Sequence, residues 1–299
     1  MTNIVDELHV AFSCVNRAKG CYFGAIMGDV YGAPYEFLDP EMIDTPLPDQ
    51  LQSGGHFNLP VGYYTDDTSM MLCLSESIVE NDGSNINDQM QKYVDWMQKG
   101  YMSSNGKCFD VGTQTQMALN YYALNKVFVP RMLKFKNSAG NGALMRIAPV
   151  PIYFKGTELD KVAEESTLIT HNNYECVKYS IFWSRLVHDV IYNKMSKSDI
   201  QSVFELMFSN INPKNVRGSG YVLDSVYISL KCFLSTETYI DCIKAVVEHG
   251  HDTDTNACIA GQLAGAFYGY DNIPMEWIKD LKDLDKITQM FDALYFTRR

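Results

Sequence analysis

An all-α fold, a compact single-domain multi-helix bundle, is what this sequence predicts. Apolar residues recur at i, i+3, i+4 and i+7 through most of the chain, and no run alternates as a strand does. Glycines at 20, 24, 28 and 32 return once per helical turn on one face, as a helix packed closely on another requires. The 299 residues are 46% hydrophobic, enough for one large core.

Residues 1–15 are moderately apolar and read as an N-terminal extension, a short extra helix or arm before a domain over 16–299. From Arg17 a helix carries the four glycines. Each costs about 1 kcal/mol relative to Ala in a helix interior, so the repeat implies a close helix neighbour at Gly20 and Gly24. This helix breaks at Pro34, leaving Glu36 in a loop that can aim it at a site. Residues 38–60 contain four of the ten prolines, show no sustained period and predict a long loop of the kind that forms lids. Met70, Met71, Leu74 and Ile78 continue a helix begun at Asp66-Asp67, and Asn81-Asp82-Gly83-Ser84 is a turn. The next helix covers 87–100, with Met90, Tyr93, Val94 and Met97 on one face, and another ends near Asn125. Asn137-Ser138-Ala139-Gly140-Asn141-Gly142 leaves the backbone bare and is expected to open a helix whose free N–H groups suit a phosphate. It matches neither the Walker pattern nor G-x-G-x-x-G. Helical spacing runs on through 157–171, 173–192, 198–210, 221–233 and 236–249. Ala257, Gly261 and Gly265 then form a second small-residue stripe, and Ile273-Pro274-Met275-Glu276-Trp277 begins the C-terminal helices.

Chemistry concentrates in two oxygen-rich clusters, Thr65-Asp66-Asp67-Thr68 and Asp252-Thr253-Asp254-Thr255. Either one alone reads as a helix N-cap. Together they offer four carboxylates and several hydroxyls, the hard donors that Mg²⁺ or Mn²⁺ selects, where zinc would want thiolates or clustered imidazoles. His249-Gly250-His251-Asp252 lacks the aspartate at 253 that an H-x-H-x-D zinc site needs. His9, His56 and His188 read as ordinary surface or core histidines, and Asp110 alone as a surface or capping carboxylate.

With 25 Lys and Arg against 36 Asp and Glu, the net charge of −11 argues against nucleic acid or an anionic membrane as partner. An anionic ligand then needs local positive charge, from bound cations or helix N-termini. The N-terminus lacks the basic and apolar regions of a secretory signal, and no stretch has the length of a membrane span. Eight cysteines without a C-x-x-C pair suggest buried thiols in a reducing cytoplasm. The acidic surface suits a monomer.

Read jointly, four segments resemble the ADP-ribosylglycohydrolase family, of the dinitrogenase-reductase-activating glycohydrolase type. They are Gly28-Asp29-x-x-Gly32-x-Pro34-x-Glu36, Thr65-Asp66-Asp67-Thr68, Asn141-Gly142-x-x-Met145-Arg146-x-x-Pro149 and Asp252-x-Asp254-Thr255. The resemblance runs from about Arg17 to beyond Trp277. It implies an α-helical bundle whose cleft holds two Mg²⁺ or Mn²⁺ ions on Thr65, Asp66, Asp67, Asp252, Asp254 and Thr255. Glu36 would be the glutamate on a mobile flap at the scissile bond. Asp110, within Asp110-x-Gly112-x-x-Thr115, is similar to the aspartate that faces the reacting ribose. Asn137, Ser138, Ala139, Gly140, Asn141, Gly142 and Met145 would line the ADP-ribose pocket, with His171 near the ligand.

The implied reaction frees ADP-ribose from a modified protein through an oxocarbenium-like state, with Glu36 or Asp67 as the base or water-positioning group. The pattern at Asp110 points to arginine as the acceptor. Serine-linked or poly-ADP-ribose is the enzymatic alternative, and a non-catalytic ADP-ribose-binding or transferase-blocking protein the alternative of another class. Six intact ligand positions weigh against the latter. One position departs from the family pattern: His251 stands where a second glycine is usual. Its side chain either crowds the metals or contacts substrate, or points to solvent.

Overall fold

The computed structural model describes residues 4–128 and 139–298, with side chains from Phe12 onward. The helices are α1 (Ile4–Gly32), α2 (Asp66–Asn81), α3 (Ile86–Lys99), α4 (Thr113–Asn125), α5 (Pro149–Tyr153), α6 (Gly156–Leu168), α7 (Tyr174–Tyr192), α8 (Lys197–Phe208), α9 (Val222–Ser235), α10 (Tyr239–Val247), α11 (Thr253–Tyr268), α12 (Met275–Asp280) and α13 (Leu284–Thr297). Among the described residues there is no strand, only isolated bridges between Gly54 and Leu59 and between Gly140 and Tyr221. The all-α expectation holds, and from Ile4 the segment expected as a separate arm or short helix is the first part of α1.

The most extensive helix pairing joins α1 to α11, and small residues make it possible. A Cβ added at Gly20 would lie 2.1 Å from the Gly265 carbonyl oxygen, one at Gly24 2.3 Å from that of Gly261, and one at Gly28 2.1 Å from that of Ala257. At Gly32 it would lie 2.5 Å from the Cα of Asp254. The glycines of α11 answer in kind, since a Cβ at Gly261 would come within 2.1 Å of the Gly24 oxygen. All four glycines of the stripe are therefore used, and residue numbers rising along α1 meet numbers falling along α11, so the helices run antiparallel. Tyr239 Oη donates to the Gly24 carbonyl (2.7 Å) and Thr253 Oγ1 to that of Gly32 (2.9 Å), tying α10 and the start of α11 to α1.

Around this axis α9, α10 and α7 cover α11, while α2 packs with α3 and α13. Trp96, Trp183 and Trp277 are fully buried in one continuous core. All eight cysteines are free and only Cys108 is partly exposed. No helix among the described residues is long and apolar enough to cross a membrane.

The 38–60 stretch is a long loop, as expected, with its middle packed down. Ile43, Leu47 and Leu51 are buried, and the backbone oxygens of Pro48 and Asp49 accept from Tyr31 Oη and Trp277 Nε1, both at 2.7 Å. The glycine-rich run departs from expectation. Residues 141–146 form successive turns rather than a helix, and α5 begins only at Pro149. The run is pinned to a neighbouring segment instead, with Asn141 N donating to Gly220 O (3.0 Å) and Val222 N to Ala139 O (2.8 Å). Pro149, preset for a first helical position, fixes the later start.

Replacing Gly24 by Ala should cost about 2–3 kcal/mol, the upper part of the overpacking range, because the clash is with backbone. The urea midpoint should fall at unchanged m. An unchanged midpoint would show that α1 and α11 can separate at that point without cost.

Candidate active site

The site begins with a cap supplied from another helix. Thr65, the N-cap residue of α2, makes no side-chain cap bond. Asp29 of α1, fully buried, supplies it: its carboxylate accepts from Thr65 N (3.0 and 3.1 Å), Thr68 N (3.1 Å) and Thr68 Oγ1 (2.5 Å). Asp66 and Asp67, in the first turn, are released from capping. Asp252 at the head of α11 likewise makes no side-chain cap bond. Neither cluster is thus a plain N-cap, the reading each allowed when taken singly.

The antiparallel pairing brings the two clusters together. Asp67 Oδ2 accepts from Thr65 Oγ1 (3.0 Å) and lies 3.4 Å from Thr255 Oγ1. One carboxylate oxygen from each of Asp29, Asp67 and Asp254 lies within 4.8 Å of the others, and so do oxygens of Glu36, Asp110 and Asp254. Asp67 Oδ1, Asp254 Oδ1 and Glu36 Oε2 are buried without a hydrogen-bond partner. Such orphaned acceptors cost free energy unless something positive meets them.

Burial pushes the carboxyls of Asp66, Asp67 and Asp254 well above the ordinary range, and their mutual repulsion adds to it. Burial, then Asp110, Asp252 and Asp67, raise Glu36 to about 10. Burial, then Asp252 and Asp29, raise Asp110 to about 7. Asp29 rises to about 6 by burial, against the lowering bonds from Thr68 and Thr65. The buried cation close by, Arg146, is engaged with Gly142 O, Ser166 O and Thr170 Oγ1 and lies over the Tyr93 ring. A crowded set of hard oxygens with unmet acceptors is the donor chemistry that suits a hard divalent cation.

Beside the clusters opens a cleft of about 980 Å³. It is lined by Glu36, Asp66, Asp110, Asp252 and Thr255 together with Ala139, Gly140, Asn141, Gly142, Met145 and His171. Thr65, Asp67 and Asp254 lie behind this lining, almost wholly buried. Asn141 ties its segment to the heads of α11 and α9, donating from Nδ2 to Asp252 Oδ2 (2.7 Å) and to Ser225 Oγ (3.0 Å). A Cβ at Gly142 would come within 3.0 Å of the His171 ring, so the imidazole rests on bare backbone. Thr170 Oγ1 accepts from Arg146 Nη2 (2.6 Å) and lies 2.9 Å from His171 Nδ1, with which it shares a hydrogen bond. The other ring nitrogen, Nε2, faces Gly140 and Gly142. Burial, with Arg146, lowers His171 to about 3, so the ring is neutral.

His251 sits on the cleft rim. Its backbone, at φ 61°, bonds to Phe37 N (2.6 Å) and Leu38 O (2.7 Å), and its Nδ1 lies 3.4 Å from Asp39 Oδ1. The ring is partly exposed and turned to the loop beyond Glu36. Asn137 and Ser138 lie outside the described residues.

Sequence reasoning missed Asp29 as a positioning group, together with Gln114, Arg217, Ser219 and Tyr221 in the cleft lining. Arg217 is the only Lys or Arg among the described lining residues. The short small-residue turn Arg217-Gly218-Ser219-Gly220 was the available signal.

A family model described as ADP-ribosylglycohydrolase matches residues 13–299. The chain is 31% identical to ADP-ribosylarginine hydrolase Tri1 of Serratia proteamaculans, over 94% of this chain and 80% of that protein. It is 28% identical to ADP-ribosyl-[dinitrogen reductase] glycohydrolase of Rhodospirillum rubrum, over 93% and 95% of the two chains. A solved structure titled ADP-ribosylglycohydrolase-related protein complex superposes with a TM-score of 0.78 at 27% identity, covering 96% of this chain and 99% of that one.

The metal-free protein should lose stability as pH rises. Asp29, Asp110 and Glu36 hold protons in the folded state up to about 6, 7 and 10, above the unfolded values near 4. Above about pH 4 the native chain then binds more protons than the unfolded one. The stability this confers is present below that pH and is lost as pH climbs through 6 and 7. In EDTA the melting temperature should fall from about pH 5 to about pH 8, and Mg²⁺ or Mn²⁺ should restore it most at the higher pH, because ligands bind metal deprotonated. A profile in EDTA that rises over this range would contradict the account.

Proposed function

The chain belongs to the ADP-ribosylglycohydrolase family, enzymes that remove ADP-ribose from modified substrates, and from that premise we propose that it hydrolyses mono-ADP-ribosyl-arginine on proteins. The supporting observation is the placement of Glu36 and Asp110 at one cleft beside the buried carboxylate set. Carboxyl oxygens at the mouth can accept from the N–H donors of a guanidinium, which a serine oxygen lacks. Relatives named as ADP-ribosylarginine hydrolases from two bacteria, each matching 94% of this chain, point the same way.

Thr65, Asp66, Asp67, Asp252, Asp254 and Thr255 would hold two Mg²⁺ or Mn²⁺ ions. Bound there, these supply Lewis-acid charge next to the distal ribose. Asp29 keeps Asp66 and Asp67 aimed by taking over the cap of α2. Asn141 holds Asp252 while its own loop meets the ligand. The bare backbone at Gly140–Gly142, the neutral His171 and Arg217 would receive the diphosphate, the last as its counter-charge.

Of the two candidates for the base, Glu36 is favoured. It lines the cleft and has a buried oxygen without a partner, whereas Asp67 lies behind the lining. Glu36, lowered from its raised value in the metal-free protein by cations at the neighbouring carboxylates, would be ionised and would then take a proton from the water that adds to the anomeric carbon. The bond from that carbon to the guanidinium nitrogen breaks, and the nitrogen regains a proton. Asp110 lies against the same sugar and holds it in place. Free thiols throughout agree with a cytoplasmic setting.

Peptides ADP-ribosylated on arginine or on serine, incubated with Mg²⁺, Mn²⁺ or EDTA and followed by mass spectrometry, test this reading. Free ADP-ribose should appear from the arginine peptide with metal and not in EDTA. Glu36→Gln should lower kcat by about 100-fold or more, the scale of a lost general base, and Asp67→Ala should abolish release. Release from the serine peptide alone would move the acceptor. Binding of ADP-ribose without any release would make the protein a reader rather than a hydrolase.

A further inference from the structure

Four aromatic rings meet edge to face or tilted beside the cleft residue Phe37. Phe37 meets His56 at 4.9 Å and Phe57 at 6.3 Å between ring centroids, His56 meets Phe57 at 4.9 Å, and Phe57 meets Phe109 at 5.2 Å. The cluster joins two loops, and two of its members, Phe37 and Phe109, follow Glu36 and precede Asp110 in sequence. Phe37 lines the cleft, whereas Phe57, His56 and Phe109 continue past the lining. An acceptor attached to a sugar held by Glu36 and Asp110 would therefore lie near these rings.

Packing does not account for Phe37. The residue is 57% exposed, and its backbone has φ 66°, a left-handed conformation that costs a bulky residue about 1–2 kcal/mol. The loop gains its buried contacts elsewhere, from Ile43, Leu47 and Leu51. Asp110, next to Phe109, is also left-handed at φ 58°. Strain of this kind persists where the surroundings enforce it, and it gathers at ligand clamps. None of the cation–ring pairs among the described residues uses Phe37, Phe57 or Phe109.

We propose that Phe37 forms the acceptor subsite, an exposed ring on whose face the planar guanidinium of the modified arginine stacks, with His56 and Phe57 bracing it at interplanar angles of 82° and 65°. The inference rests on the arginine reading above and names the residue that sets that specificity. Aromatic faces attract cations, and a guanidinium stacks on them where an ammonium or hydroxyl does not. Glu36 and Asp110 add carboxyl oxygens beside the ring as acceptors for the guanidinium N–H groups. A serine-linked substrate gains from neither feature.

The test replaces each ring by an apolar side chain of similar bulk. Phe37→Leu should lower kcat/KM on the arginine-linked peptide about tenfold, mainly through KM, the effect of losing one desolvated cation–ring contact, and Phe57→Leu, which removes the brace, should lower it by a smaller factor. Inhibition by agmatine, a free guanidinium probe, should weaken by the same factors. The calorimetric Kd for ADP-ribose should stay within about twofold, which also shows that the variants fold, and Phe37→Trp should restore efficiency. Full efficiency in Phe37→Leu would overturn the subsite while leaving the hydrolase reading intact. A parallel loss of ADP-ribose affinity, or failure of Phe37→Trp to restore a lost efficiency, would also overturn it, by assigning the rings to loop packing. Absence of any release by the unaltered protein would instead defeat the arginine reading itself.

Discussion

Backbone-to-backbone contact between α1 and α11 is the constraint from which the site follows. The glycines on both helices bring carbonyl oxygens to within about 2 Å of where side chains would otherwise begin. Because the pair is antiparallel, the C-terminal end of α1 and the N-terminal end of α11 finish at the same place. One delivers Asp29 and the loop with Glu36, the other Asp252, Asp254 and Thr255. The start of α2 is drawn in by Asp29. Two helix N-termini thus converge on the carboxylates, each favouring negative charge by about 0.3–1 kcal/mol. That is too little to hold the set ionised, as the raised values of Glu36 and Asp110 show. The charge deficit is a property of the packing, and divalent cations are the means of meeting it that this donor set suits.

Asp29 illustrates how function is separated from folding here. An aspartate at a helix start ordinarily spends its oxygens on the free N–H groups behind it. By donating a cap from another helix, the chain keeps the first turn of α2 satisfied and leaves Asp66 and Asp67 uncommitted. The cost is one more buried carboxylate, held down near 6 by its four hydrogen bonds.

Much of this was legible in the sequence because it is written at short range. The glycine stripe, the break at Pro34, the helix starting at Asp66-Asp67 and the two Asp/Thr clusters are local patterns, and each stands where its spacing placed it. What escaped depends on which distant segments meet. Arg217 and Tyr221 reach the cleft because the 217–221 turn pairs with Gly140 and Asn141, a contact that no periodicity encodes. The same pairing explains why the glycine-rich run turns instead of winding. The aromatic cluster is assembled from residues 37, 56, 57 and 109, so His56, which reads alone as an ordinary histidine, belongs to the cleft rim. His251 lines the cleft with its ring partly exposed; its backbone adopts the left-handed angle that a glycine accepts freely, and its Nδ1 lies 3.4 Å from Asp39.

The most direct measurement of the central claim is an anomalous-difference map from crystals grown with Mn²⁺. The account predicts strong peaks within ligand distance of Asp66, Asp67, Asp252 and Asp254, at the meeting point of α1, α2 and α11, and their loss in Asp67→Ala. An empty cluster at saturating Mn²⁺, with its carboxylates unmoved, would contradict the view that the buried acidic set exists to hold metal.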